Sequence, residues 1–347
     1  MDELLPHYER ELTMLRQHAR QFAESYPKIA GRLQMSGENV EDPHVERLIE
    51  SFALLAARVH KKLDDEYPEF TDALLQVLYP HYLRPFPSCS IASFDVGAGS
   101  AQLTTATRIE RGTLLNSRPI KGLPCKFRTA YPVWIAPLKV RQFAYSNVLR
   151  APEGFRLPGQ ASSVITLEVA LVSEQAQFAK LGLPVLRLFM DTESALIAQL
   201  RKAIFHGCVG MAIETTPGKW SPLPKQIVQP VGFANEESLL DFDARSAQAY
   251  RLLTEFFSFP EKFNFIDLEF TSLLEHLGEG CRSFKIHFLL GGGQELELDE
   301  RLLEQLGPQH LKLHCTPVVN LFKQQADPIR LTHDKFEYPV VADHRRP

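Results

Sequence analysis

Near the N-terminus, Tyr8, Leu12, Leu15, Ala19, Phe22 and Tyr26 follow one another at intervals of 4, 3, 4, 3 and 4. That heptad-like rhythm lines one face of a helix. Pro6 is tolerated in a first turn, where its missing N–H leaves no bond unmade. Pro27 ends the segment. A second helix is predicted from Asp42, a capping residue, and Pro43, which suits the first helical position. Its apolar face runs Val45, Leu48, Ile49, Phe52, Leu55, Ala56, Val59 and Leu63, with Lys61, Lys62, Asp64 and Asp65 around its end. A third, short helix is predicted over Phe70, Ala73, Leu74, Val77 and Leu78, broken by Pro80.

The segment EYPEFTDALLQVLYPHYLRPFPSC at 66–89 is rich in both proline and aromatic residues. Flexible linkers favour Gly and Ser instead. Tyr79, Pro80, Tyr82, Pro85, Phe86 and Pro87 are therefore predicted to form a stiff domain connector, its prolines holding the exit extended and its rings buried. Beyond residue 88 the period shortens. Ser90–Val96, Ala106–Leu115, Cys125–Val133 and Ser163–Leu171 read as strands between Gly, Pro and Asn turns. From 184 the pattern is mixed. VLRLFMD, a helix ESALIAQLRKAIF capped by Thr192, and VGMAIET make one strand–helix–strand unit; FKIHFLL, LDERLLEQL and LKLHCTPVV make a similar one. A helix near 245–257 lies between them. The predicted fold is α+β: an N-terminal helical region at 1–87, a β-rich domain at 88–183 and a mixed α/β domain at 184–347.

Length and composition agree with more than one folded body. The chain has 347 residues, and single cores stop growing at roughly 250–300. It is 44% hydrophobic and 23% charged, with 23 Phe, which does not fit a solvated coil. A net charge of −4 argues against nucleic-acid binding through bulk charge. Cys89, Cys125, Cys208, Cys281 and Cys315 are widely spaced and contain no CxxC, which is cytosolic usage. The acidic start MDELLPHYERE lacks a signal-peptide core, and no apolar run nears the ~20 residues that span a bilayer.

The chain carries no GxSxG, HExxH or GxxxxGK[ST] motif. Gly291–Gly293 follows a strand-like run, but the acidic GGGQELELDE reads as a turn rather than a phosphate loop. His310, His314 and Cys315 form the nearest approach to a metal or thiol cluster. Neighbours on a strand point to opposite faces, so Cys315 reads as core. No catalytic, cofactor or metal residue is assigned. The Phe residues between 256 and 270 read as core rather than as a docking patch. The Leu12, Leu15, Ala19 and Phe22 stripe, with Leu48, Phe52 and Leu55 on the next helix, is predicted to be a partner interface, because so short a seam needs other helices to cover it.

The run EDPHVERLIESFALLAARVHKKLDDEYPEFTDALLQVLYPHYLRPFPS at 41–88 closely resembles the N-terminal signature of the TssF (VasA/ImpG) family of type VI secretion baseplate subunits. RIERGTLLNSRPIKGLPCKFRT at 108–129, YRLLTEFFSFPEKFNFIDL at 250–268 and the run from HCTPVVNLF to the end at 314–347 agree in order. The RGT turn also resembles wedge proteins of contractile phage tails. The resemblance implies a non-enzymatic wedge subunit without cofactors. Its implied partners are a second TssF copy, TssG, TssK and other baseplate subunits, with no nucleic acid and no membrane insertion. Its implied place is the cytoplasm, at the inner face of the cell envelope. Family members run well past residue 347, so a further C-terminal part is implied. Two other readings stay open: a wedge protein of another contractile system, and a cytosolic thiol enzyme using Cys315 with a nearby His.

Overall fold

The structure, a computed structural model, describes the chain apart from residues 1, 2, 37, 38, 41, 80, 81, 98, 100, 101, 120, 121, 243–246, 292–297, 335, 336 and 343–347. It divides into two units, Met1–Pro85 and Phe86–Pro347. The architecture is α+β, as the hydrophobic pattern predicts.

The first unit contains α1 (Leu5–Ser25), α2 (Pro27–Arg32), a short ladder of β1 (Met35–Ser36) with β2 (Asn39–Val40), and α3 (Pro43–Leu78). Pro6 sits in the first turn of α1 and Pro27 opens α2. Asp42 caps α3, its Oδ1 accepting the His44 N–H at 2.8 Å. The predicted break between a second and a third helix is absent, because Pro68 lies inside one continuous helix. A proline removes one backbone donor but does not by itself unwind a run of helix-forming residues on both sides. The helix α1 packs antiparallel on α3, through Lys61 with Glu3 at 2.6 Å, His60 with buried Glu11 at 2.6 Å, and Arg16 with Glu46 at 2.6 Å. Fully buried Ala53 and Ala57 permit close approach. At 1.5 Å per residue α3 is roughly 54 Å long and α1 roughly 32 Å. Asp64 still reaches His7 of α1 at 3.8 Å, and with α3 so much the longer its C-terminal part runs past the start of α1.

The second unit opens with β3 (Cys89–Ser93), β4 (Thr107–Ile109), β5 (Leu114–Asn116), β6 (Lys126–Thr129), β7 (Val133–Ile135), β8 (Leu138–Ser146) and β9 (Ala161–Leu171). Next come β10 (Val185–Met190), α4 (Ser194–Lys202), β11 (Cys208–Thr216), β12 (Lys219–Leu223), β13 (Val228–Pro230) and α5 (Gln248–Ser258). The remainder is β14 (Phe265–Glu269), α6 (Phe270–Leu274), β15 (Ser283–Gly291), α7 (Glu300–Leu303), β16 (Leu311–Lys312) and β17 (Cys315–Val319). The sheets run in the orders β12-β11-β15-β9-β8, β13-β14-β10-β16, β3-β17-β6-β5 and β4-β7, with antiparallel pairing. The expected 183/184 boundary falls inside this unit, and two of its sheets, β12-β11-β15-β9-β8 and β3-β17-β6-β5, draw strands from both sides of it.

Several predicted strands are shorter or split. Ala106–Leu115 becomes β4 and β5 around Gly112, whose φ of +84° only glycine adopts readily. Cys125–Val133 becomes β6 and β7. LKLHCTPVV becomes β16 and β17, parted by His314 at φ +57°. LDERLLEQL yields only the short α7. Glu193, not Thr192, holds the cap position of α4 and makes no side-chain capping bond. The two strand–helix–strand units do not repeat: β10 and β11 lead from the second of these sheets into the first, whereas β15 leads out of the first.

The main core lies between the five-stranded sheet and one face of the β13-β14-β10-β16 sheet. Leu186, Leu188, Ile266 and Leu268 pack there with Ile165, Leu167, Ile286 and Phe288. The alternate residues Phe189 and Phe265 face the other way, into a second cluster with Tyr131, Val231, Leu239 and Cys315.

Candidate partner-binding surfaces

Five of the seven predicted interface residues meet at one place. Leu15, Ala19 and Phe22 from α1, with Leu48 and Phe52 from α3, line an open apolar groove of about 390 Å³, joined by His18 and Ile49. Leu12 is half-buried beside it, and Leu55 lies further along α3, 58% exposed. Leu48 is 70% and Phe52 59% exposed, and the outward stripe continues through Val59, Leu63, Phe70, Leu74 and Val77. The sequence pattern predicts a separate helix past Leu63, whereas α3 continues through it to Leu78. Monomeric surfaces seldom expose apolar area this continuous.

The connector residues differ among themselves. The Tyr79 N–H closes α3 on the Leu75 carbonyl at 2.7 Å. Its ring lies 6.1 Å from that of Tyr82. Tyr82, expected to be buried, is 70% exposed. Phe86 packs against the second cluster of its own unit, beside Cys89 and Ile91. Pro85 is exposed and Pro87 half-buried; Pro80 lies outside the described residues.

In the second unit the run YRLLTEFFSFPEKFNFIDL folds in an unexpected way. Arg251 and Glu255 of α5 are buried, at 3% and 1% exposure, whereas Tyr250, Leu253, Phe256 and Phe257 face outward. Charge is inside and apolar surface outside. The inversion holds because Glu255 is fully answered. It accepts from Arg251 at 3.1 Å, from the Leu239 N–H at 2.8 Å and from the ammonium of Lys262, which is itself completely buried. Burial pulls the Lys262 ammonium below its ordinary value, against the pull of Glu255. Arg251 also donates to the carbonyls of Phe233 and Ala234. The expectation of a Phe core is thus half met: Phe263, Phe265 and Phe270 are buried, while Phe256 and Phe257 are not.

Other groups from the sequence take structural positions. Arg111 of the RGT turn donates to the Ser238 carbonyl at 2.8 Å and to its hydroxyl at 2.9 Å, tying that turn to the segment before α5. Cys315 is buried in β17, and burial raises its thiol above the ordinary value. A nucleophilic cysteine needs the opposite shift and exposure. His314 Nε2 accepts the Ala136 N–H at 3.2 Å. Among the described residues no group of three or more His, Cys, Asp or Glu is placed to hold a metal ion, and no helix is long and apolar enough to cross a membrane. Gly291 ends β15; Gly292 and Gly293 lie outside the described residues.

A network that sequence reasoning missed stands on the five-stranded sheet. His287 stacks on Trp220 with ring centroids 4.1 Å apart. It bonds Glu214 at 3.0 Å and Thr166 at 3.0 Å, and Glu214 also accepts from the Gly218 N–H and the Trp220 indole. No local motif announces it, since its members come from different strands.

Apolar helix faces left exposed, in the hairpin of the first unit and on α5 of the second, are the mark of an assembly subunit rather than of a self-contained monomer. The family described as "Type VI secretion system, TssF" matches residues 1–347. The chain belongs to that family. It is 35% identical to the type VI secretion system component TssF1 of Pseudomonas aeruginosa, over 99% of this chain and 55% of that protein. A chain of the cryo-electron microscopy structure of the type VI secretion system TssK-TssF-TssG baseplate subcomplex superposes with a TM-score of 0.62 at 29% identity, covering 85% of this chain and 52% of that one. This chain thus spans about half the length of the relatives it matches.

Proposed function

We propose that the protein is a structural, non-enzymatic wedge subunit of a type VI secretion baseplate. It assembles with a second copy of itself and a TssG subunit, and the wedge meets TssK. The observation that carries the reading is the α1–α3 hairpin, whose groove and outward stripe leave Leu48, Phe52, Leu55, Val59 and Leu63 exposed in a chain of the TssF family. Helices with such a seam gain stability by packing against further helices. The subunit works in the cytoplasm, at the inner face of the envelope, without nucleic acid, cofactor or membrane insertion.

The test is native mass spectrometry of complexes purified through this chain from cells expressing its whole gene cluster. Two copies per TssG, with TssK bound, are expected. A chain that purifies free of both TssG and TssK would overturn the reading.

A further inference from the structure

The outward face of α5 borders a second surface, separate from the hairpin. Between α4, the helical turn after it and α5 lies an open cleft of about 920 Å³. Ile197, Phe205, Phe233, Leu253, Phe256 and Phe263 give it apolar walls. Leu253 is 55% and Phe256 52% exposed. The helix cannot roll to hide them, because on its opposite side Glu255 is held by Lys262 and the Leu239 N–H, and Arg251 by the carbonyls of Phe233 and Ala234. The fold thus holds an apolar face outward with a buried ionic latch.

One wall of the cleft is basic. Arg201 lies along it, with Lys202 and His206. The Arg201 guanidinium donates to the Phe263 carbonyl and sits over the Phe205 ring at 5.5 Å. Among the described residues it has no carboxylate partner, although Glu261 lines the same cleft. An arginine fork half-buried among aromatic rings and unanswered by an acid is suited to a carboxylate brought by something else.

We propose that this cleft is the docking site for an acidic amphipathic helix of a partner protein, its apolar stripe against Leu253 and Phe256 and a carboxylate on Arg201. A cleft between helices fits a third helix through ridge-and-groove packing. A small molecule would fill the cleft but leave Tyr250 and Phe257, which lie outside its lining, uncovered at 53% and 80% exposure. A helix lying along α5 covers them too. The proposal does not depend on the baseplate reading, which concerns the hairpin.

Two synthetic helices of about 18 residues, long enough to fold alone, test it by fluorescence anisotropy against the whole chain. They share one Leu/Phe stripe; one is flanked by Glu, the other by Lys. The Glu helix is expected to bind at least about tenfold more tightly, and added salt to narrow that gap. Leu253→Asp with Phe256→Asp, both at exposed positions, should abolish binding, and Arg201→Gln should remove the preference for Glu. The hairpin variant Leu48→Asp with Phe52→Asp should bind as the parent does. The proposal is overturned if neither helix binds, if both bind alike and without salt dependence, or if the hairpin variant rather than the cleft variant loses binding. Displacement of the Glu helix by vesicles of phosphatidylglycerol, with tighter binding to them, would assign the cleft to a lipid surface instead.

Discussion

Glu255 answers two buried cations and a backbone N–H at once, so its removal should be among the most damaging single changes in the second unit. Glu255→Ala leaves Arg251, 3% exposed, and Lys262, fully buried, without a counter-ion. It also orphans the Leu239 N–H. Breaking a buried pair by deleting one partner costs about 3–5 kcal/mol. An orphaned buried donor adds about 1–3 kcal/mol. Lys262 limits the total, because burial already draws its proton off below the ordinary lysine value and the lone amine escapes part of the penalty. A loss of about 3–5 kcal/mol is expected. For a unit of this size that is a fall of roughly 6–20 °C in Tm, at 2–4 °C per kcal/mol. The double variant Glu255→Gln with Lys262→Met keeps an acceptor for the Leu239 N–H and removes the buried lysine charge. It should therefore be more stable than Glu255→Ala. Both tryptophans, Trp134 and Trp220, lie in this unit, so urea unfolding followed by tryptophan fluorescence reads it directly. A loss under about 1 kcal/mol for Glu255→Ala, or a double variant less stable than the single, would refute the latch.

Three further outcomes follow from named groups. Burial depresses the imidazoles of His287 and His314 below 6.5, so unfolding takes up protons between their folded and ordinary values; their stabilisation is complete above about pH 6.5 and is lost as pH falls through the folded values. The urea midpoint should drop from pH 7.5 to 5.5, less steeply in His287→Gln, and a flat or rising profile would contradict the assignment. Gly232 stands at φ +107° with a built Cβ 2.9 Å from the Phe263 ring, so Gly232→Ala should destabilise by about 1–3 kcal/mol in the same urea assay. Replacing Pro80, Pro85 and Pro87 by Ala should increase limited-proteolysis cleavage between 78 and 90 while both units keep their cores; unchanged cleavage counts against a stiff connector.

The helical unit was legible in the sequence because its signals are local. Asp42–Pro43 marks a helix start and Pro27 a helix end, and the Leu12–Phe22 stripe repeats at short range. Pro68 misled for the opposite reason: whether a proline ends a helix depends on the apolar run beyond it, and a rule about one residue does not weigh that run. Eight strand segments were read from the sequence, but β8, β12, β13 and β14 were not among them, and two of those read are broken by positive φ at Gly112 and His314 that composition does not announce. The inversion of α5 was invisible. Arg251, Glu255 and Lys262 look like solvated charges, and only tertiary pairing turns them inward and the Phe residues outward. The His287–Glu214–Trp220 network escaped for the same reason. Family resemblance reached further than residue physics here, because YRLLTEFFSFPEKFNFIDL matched as a string before its charges had a structural meaning.

The most direct test of the central claim separates assembly from folding at the hairpin. Leu15 is half-buried between α1 and α3, so a charge there would disturb the hairpin itself. Leu48 and Phe52, at 70% and 59% exposure, face outward, and Leu48→Asp with Phe52→Asp should leave the circular dichroism spectrum unchanged. Co-expressed with TssG and an untagged second copy, and purified through its own tag, this variant should elute alone, while the parent chain brings down both. Parent-like recovery of TssG and the second copy by the folded variant would contradict the account.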